Sequence, residues 1–304
     1  MRTPSEVVIA GKRLKLSNLD KVFYPASGFT KGQIIDYYVR VSPFLLPHLR
    51  GRPLTLKRYP DGVEGPFFYE KRCPTHRPDW VRTSAAWSEG KGAEIEFCLA
   101  DDLPTLVWAA NLADLELHTS LSLASSIRQP TMIAFDLDPG APAGLTECCQ
   151  VAVLLRGLLD KLRLRSFPKT SGSKGLQIYV PLNTPASYEE TKALSRALAE
   201  LLEQQHPQLV VSKMKKSLRV GKVLVDWSQN DEHKTTVCVY SLRAKDRPTV
   251  STPVTWKEVE KGVKPAGANA LVFESDQVLK RTAKLGDLFG PVLELKQRLP
   301  SQSP

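Results

Sequence analysis

Met132-Ile133-Ala134-Phe135-Asp136-Leu137-Asp138, closed by Pro139-Gly140, is the stretch that decides the fold. A short apolar run bounded by a proline-glycine turn reads as a buried strand. Side chains alternate along a strand, so Asp136 and Asp138 leave one face while Phe135 and Leu137 enter the other. Two carboxylates on one face repel. Ending an apolar strand this way is costly unless cations neutralise the pair, and hard oxygen ligands suit magnesium or manganese. A solvent-facing pair at a strand end is the plainer alternative. Val223-Leu224-Val225-Asp226-Trp227 adds a third acid at the end of another apolar run. Three acids converging on one sheet edge are what two-metal phosphoryl or nucleotidyl transfer requires.

The pattern around these strands predicts an α+β chain. Val151, Leu154, Leu155, Leu158 and Leu162 form an apolar stripe over about 146–162, and Ile178-Tyr179-Val180 follows as a strand. Ser187 and Glu190 stand in capping-box spacing ahead of Leu194, Leu198 and Leu201. Thr236-Val237-Cys238-Val239-Tyr240 reads as a last strand of the same sheet. Earlier in the chain, Thr30 and Gln33 cap a helix carrying Ile34, Tyr38, Val41 and Leu45. Leu54 to Lys57 and Phe67 to Lys71 read as strands and Thr105 to Leu117 as a helix. Short helices are expected at Trp256–Val259 and Asp276–Thr282. The organisation expected is an N-terminal lobe over 1–130, a catalytic lobe over 131–300 and a loose tail over 301–304.

Thr170-Ser171-Gly172-Ser173-Lys174-Gly175 offers glycines, hydroxyls and a lysine able to form a nest for phosphate oxygens, although it lacks the P-loop pattern. Lys21 and Lys31 stand near the Thr30 cap, where free helix N–H groups make an anion seat; solvated lysines are the alternative. Lys213, Lys215, Lys216, Arg219 and Lys222 lead into the Asp226 strand and suit a nucleic-acid backbone or a solvated loop. Phe67 and Phe68 are adjacent, so one ring should face out and could stack on a base unless both sheet faces are covered.

Forty-two Lys and Arg against 32 Asp and Glu give the 304-residue chain a formal charge of +10. That surplus favours anionic partners and says nothing of fold. No apolar run approaches the roughly 20 residues of a membrane helix, and the N-terminus lacks an apolar signal core. A soluble cytoplasmic protein with no membrane partner is expected. Cys73, Cys98, Cys148, Cys149 and Cys238 show no C-x-x-C spacing, so neither a disulfide framework nor a zinc ribbon is expected, and buried thiols are the reading.

Phe-Asp-Leu-Asp-Pro at 135–139, Ser-Gly-Ser-Lys-Gly-Leu at 171–176 and Val-Asp-Trp at 225–227 stand in one characteristic order. With Asn18–Pro25, Phe29–Gly32, Leu115–His118 and Tyr240–Ala244 they resemble the LigD-type polymerase domain of the archaeo-eukaryotic primase superfamily, over roughly Leu16 to Leu299. The resemblance implies a two-lobed primase-polymerase fold with an RRM-like catalytic sheet and helices packed on it. It implies a template-dependent polymerase transferring nucleotides from NTPs or dNTPs, with ribonucleotides preferred, to a primer 3′-hydroxyl at DNA gaps or ends in non-homologous end joining. Asp136, Asp138 and Asp226 would be the catalytic ligands of two manganese or magnesium ions. Ser171, Lys174, Arg243, His118 and Gln177 would meet the nucleotide, Lys21 and Lys31 a 5′-phosphate, and Phe67 and Phe68 the template.

Two positions depart from the pattern. Gln177 stands where ligase-attached members carry histidine, and Gln229 where some carry arginine, which should weaken nucleotide binding because charge-assisted hydrogen bonds are the stronger kind. The run around Asp226 looks like the actinobacterial branch that includes stand-alone polymerases. No K-x-D-G adenylation motif is present, so a separate ligase and an end-binding protein are the expected partners of a monomeric, nucleoid-associated chain. Pro139-Gly140 after the second aspartate speaks against aspartate-nucleophile phosphatases, and Asp226 against metal-dependent glycosyltransferases. A DNA-end-binding or synapsis module with weak polymerase activity is the non-enzyme alternative.

Overall fold

The computed structural model describes residues 5–88 and 92–300; the tail expected at 301–304 lies outside them. The chain forms two compact units. Their boundary departs from the contiguous division at 130/131. Unit 1 takes residues up to Ser120 together with Thr235–Ser251 and Glu274–Asp287, and unit 2 takes Leu121–Lys234, Thr252–Phe273 and the C-terminal segment from Leu288.

In chain order the first elements are β1 (Ser5–Ile9), β2 (Lys12–Leu16), β3 (Val22–Tyr24), β4 (Phe29–Thr30) and α1 (Lys31–Leu49). Then come β5 (Pro53–Arg58), β6 (Phe68–Glu70), β7 (Thr83–Ser88), β8 (Ala93–Leu99), α2 (Leu103–Asn111) and β9 (Asp114–Thr119). The second half runs β10 (Met132–Pro139), α3 (Leu145–Lys161), β11 (Phe167–Thr170), β12 (Leu176–Pro181), α4 (Tyr188–Gln205), β13 (Val210–Val211), β14 (Val223–Asp226) and β15 (Thr236–Val237). Helices α5 (Trp256–Gly262), α6 (Pro265–Asn269), α7 (Ser275–Leu285) and α8 (Pro291–Glu294) close the chain.

Unit 1 holds a sheet ordered β15-β9-β5-β8-β7, with β6 beside β5. Its α1 starts where the sequence places it. Thr30 accepts from the Gln33 amide at 3.3 Å and the Gln33 side chain accepts from the Thr30 amide at 2.8 Å, satisfying two otherwise orphan donors. Ile34, Tyr38, Val41 and Leu45 are fully buried. The helix expected over Thr105–Leu117 is a correction. It ends at Asn111, Ala113 takes a left-handed φ of 65°, and Asp114–Thr119 extends as β9. The alternation Leu115, Leu117 against Glu116, His118 carries the strand period that the helical reading overlooked.

Unit 2 holds a sheet ordered β11-β12-β10-β14-β13, antiparallel except for the β13–β14 pair. Ile133, Phe135 and Leu137 of β10, Leu176, Ile178 and Val180 of β12, and Val223 and Val225 of β14 form one core with Cys148, Val151, Ala152, Leu155 and Leu159 of α3 and Leu198, Ala199 and Leu202 of α4. Burying such aliphatic side chains contributes roughly 1.5–3 kcal/mol each, before the entropy of ordering them is subtracted. The even-numbered residues of β10 and β14 and the odd-numbered ones of β12 therefore face away from this core.

Two further expectations are overturned. Thr236–Tyr240 does not complete the aspartate-bearing sheet: only Thr236–Val237 is strand, and it pairs with β9 in unit 1. Cys73 and Cys98 are disulfide-bonded with Cα atoms 4.9 Å apart, while Cys148, Cys149 and Cys238 are free and buried. The bond links the segment after β6 to β8, a proximity that sheet pairing creates and sequence spacing does not reveal.

Candidate active site

Strand register assembles the site in unit 2. Asp136 of β10 lies directly opposite Asp226 of β14 on one side and Gln177 of β12 on the other, and Gln177 lies opposite Lys169 of β11. One row across four strands thus reads Lys169, Gln177, Asp136, Asp226, on the face away from the core. Asp138 stands two residues along on that face and is exposed.

The row is polar and largely dry. Lys169 is fully buried; its Nζ donates to Gln177 Oε1 and lies 5.4 Å from the centroid of the Tyr179 ring. Gln177 in turn adjoins Asp136 across the β10–β12 pairing. Burial, with the Asp138 and Asp226 charges added, pushes the Asp136 carboxyl well above the ordinary carboxylate range, against the opposing pull of Gln177 and Lys169. Its Oδ1 is buried and has no hydrogen-bond partner among the described residues. Asp226 is held differently. Its Oδ1 accepts from the Ser228 amide at 2.8 Å and the Ser228 hydroxyl at 2.6 Å, and Oδ2 from Gln229 Nε2 at 2.8 Å.

An orphaned buried carboxylate oxygen beside a second carboxylate is a donor set for a hard divalent cation. The residues fit such an ion, and Asp136, Asp226 and Asp138 are those that would hold it. Among the described residues no three His, Cys, Asp or Glu side chains are placed close enough together to hold an ion as they stand.

Gln177, expected as a weakened nucleotide contact, is buried within the row, and the cation there is Lys169, which sequence reasoning missed. Gln229 likewise orients Asp226. The 171–175 loop is partly closed on itself, since the amides of Ser173 and Gly175 each donate to Ser171 Oγ at 3.2 Å. Those two amides are thereby taken from the expected phosphate nest, and the Lys174 side chain is exposed. The loop is pressed against β10: a Cβ on Gly175 would stand 2.0 Å from the Leu137 carbonyl oxygen. The basic stretch reaches the same strand end, with Gly140 bridged to Val220.

Unit 1 carries the remaining candidates. Lys31 opens α1 with its side chain buried, and Nζ donates to the Ser17 carbonyl at 2.8 Å. Burial, with Lys21 and Arg58 adding repulsion, lowers its pKa to about 8. Lys21 donates to the Pro60 carbonyl at 2.7 Å and pairs with Asp61 at 2.9 Å. Phe67, Phe68 and Tyr69 are all about half exposed, so both phenylalanines face out, where one was expected to. Cations lie over them: Lys57 Nζ is 4.5 Å from the Phe67 centroid and the Arg58 guanidinium 5.2 Å from that of Phe68. Phe68 and Tyr69 of β6 pair with Arg58 and Lys57 of β5, which brings both cations to the rings. His118 and Arg243 both meet Glu116, a second residue that sequence reasoning passed over.

Three aspartates on adjoining antiparallel strands of an α+β chain are the residue types that metal-dependent nucleotidyl transfer uses. The family model of the LigD primase-polymerase domain matches residues 30–289. The multifunctional non-homologous end joining protein LigD of Mycolicibacterium smegmatis is 41% identical over 92% of this chain and 36% of its own length. The bifunctional LigD of Bacillus subtilis is 34% identical over 91% of this chain and 44% of its own length. The solved polymerase domain of Mycobacterium tuberculosis ligase D in complex with DNA superposes with a TM-score of 0.86 at 38% identity, covering 94% of this chain and 99% of that one. The chain belongs to the LigD primase-polymerase domain family, a family of nucleotidyltransferases. It spans 36% and 44% of the length of these two LigD relatives. No helix among the described residues is long and apolar enough to cross a membrane.

Proposed function

We propose that the chain extends a primer 3′-hydroxyl at DNA gaps and ends, in template order, from nucleoside triphosphates with ribonucleotides preferred, and serves end joining in the cytoplasm at the nucleoid. The observation that carries this reading is the directly opposed Asp136–Asp226 pair with its orphaned Asp136 Oδ1. Divalent ions held there, two of manganese or magnesium, would activate the hydroxyl and stabilise the departing pyrophosphate.

The protein's own part is orientation and charge. Gln177 flanks Asp136 in the row, and Ser228 with Gln229 aims the Asp226 carboxylate. Lys174 and Arg243 meet the triphosphate, and Ser171 and His118 complete the nucleotide contacts. Lys21 and Lys31 receive the 5′-phosphate of the downstream strand. Phe67 and Phe68 stack on template bases, an interaction of roughly 1–3 kcal/mol per base. The Lys213–Lys222 stretch follows the DNA backbone. The chain acts as a monomer, and sealing falls to a ligase activity outside this stretch of sequence, with an end-binding protein as a further partner.

Extension of a gapped, 5′-phosphorylated DNA with ribo- and deoxyribonucleotides, in magnesium and in manganese, tests the reading. Asp136→Ala should abolish extension and leave DNA binding intact in a gel shift. Extension retained by that variant would overturn the site assignment, and wild-type binding without extension would favour an end-binding module.

A further inference from the structure

Glu116 lies in β9 with its side chain 1% exposed, and five groups converge on its two oxygens. Oε2 accepts from Lys57 Nζ at 3.0 Å and meets His118 Nε2 at 3.1 Å. Oε1 accepts from the Ala244 amide at 3.0 Å, with Arg243 Nε at 3.4 Å and the Tyr59 hydroxyl at 3.5 Å.

Topology explains the convergence. Lys57 of β5 lies directly opposite Glu116, and His118 follows two residues on along the same face. The turn bearing Arg243 is tied to β9 by Cys238 N donating to the Leu117 carbonyl at 2.8 Å and Leu117 N to Ser241 Oγ at 2.9 Å. Tyr240 within that turn takes a left-handed φ of 64° and is held there by Tyr37, whose hydroxyl donates to the Tyr240 carbonyl at 2.8 Å.

Burial would push the Glu116 carboxyl up, but the His118 hydrogen bond and the Arg243 and Lys57 charges oppose it and hold the group well below the usual carboxylate range. An ionised carboxylate only accepts hydrogen bonds, so the ring nitrogen facing it must carry the proton. For His118 that nitrogen is Nε2. Burial lowers the His118 pKa despite Glu116, with Arg243 and Lys57 pulling the same way. A neutral ring in this setting has Nδ1 as its acceptor.

We infer that Glu116 is a positioning residue of the polymerase site, which fixes His118 in the Nε2–H form and clamps Arg243, while holding Lys57 beneath the exposed Phe67 ring. One carboxylate thereby joins the residues assigned to the nucleotide to the aromatic surface assigned to the template. The inference rests on the functional reading above for what His118, Arg243 and Phe67 contact. The clamp itself rests only on the distances within unit 1.

Long-range proton–nitrogen spectra of the His118 ring in the wild-type protein test the clamp directly, with Nε2–H as the expected form. An Nδ1–H ring would overturn the inference, and this readout needs neither nucleotide nor a folded variant. Glu116→Gln should lose the single tautomer and weaken binding of a fluorescent nucleoside triphosphate by about tenfold or more, the scale of one charged hydrogen bond. Its affinity for a 5′-phosphorylated duplex without a template overhang should stay at the wild-type value. Nucleotide affinity unchanged in Glu116→Gln would overturn the positioning role. His118→Ala and Arg243→Ala run in parallel: if neither weakens nucleotide binding, the assignment of those two residues fails, whereas the tautomer still decides the clamp.

Discussion

Lys31 shows how much a single side chain's surroundings alter its chemistry. In sequence it is a lysine after a helix cap, where a cation opposes the helix dipole by a few tenths of a kcal/mol. In the structure it is buried beside two other cations, and its pKa falls to about 8. A lysine whose folded pKa lies below its unfolded value destabilises the fold at pH below 8, and the penalty fades as pH rises from 8 toward 10.5. For Lys31 it amounts to up to about 3 kcal/mol at neutral pH. A dianionic 5′-phosphate would draw the proton back and relieve that penalty. The preference for 5′-phosphorylated over unphosphorylated ends is therefore expected to drop by about an order of magnitude between pH 7.5 and 9. Fluorescence anisotropy on the two end types measures it, and a flat ratio would remove Lys31 from the phosphate seat. Asp136, Asp138 and Asp226 were legible as single residues because strand alternation alone puts them on the face away from the core. Lys169 and Glu116 were not: a lone Lys or Glu in a short strand looks like any solvated charge until its cross-strand neighbours are known.

At the scale of elements, the 171–175 loop presses tightly against β10, the strand that carries Asp136 and Asp138. Leu176 of β12 pairs with Leu137 of β10, and Gly175 enters that pairing with no room for a side chain. Gly175→Ala would force the loop and β10 apart, since a contact near 2 Å with a backbone oxygen has no flexible atom to give way. A loss of about 2 kcal/mol or more in stability is expected by urea denaturation, together with a fall in extension activity. A variant as stable as wild type would show that the loop does not brace the strand. Capped helices such as α1 and α4 were readable from Thr30/Gln33 and Ser187/Glu190, because capping is a local bond between residues three apart. The α2–β9 junction was not, because the helix stops at a left-handed Ala113, a residue type with no intrinsic preference for that conformation.

For the whole molecule the relevant quantity is the charge surplus of +10. Some of the basic residues are already engaged within the protein, with Lys21 on Asp61, Lys57 and Arg243 on Glu116, and Lys169 in the aspartate row. Cations bound this way release fewer counterions on binding DNA than a count of basic residues suggests. DNA affinity should fall linearly on a log–log plot against salt, and Lys31→Met should make that slope shallower by about one unit. Filter binding across a salt series measures both slopes, and identical slopes would show that Lys31 makes no phosphate contact.

The sequence by itself determined the α+β class, the position of the three aspartates and the family, because these rest on local periodicity and on motifs whose order along the chain is fixed. Only the tertiary structure decided that Gln177 and Lys169 complete the aspartate row, that β15 belongs to unit 1, that Cys73 meets Cys98, and that Glu116 holds His118 and Arg243. Each of these depends on which strands pair and in what register. Register is set by the burial of both units' cores as a whole, a sum over distant residues that no single stretch of sequence contains.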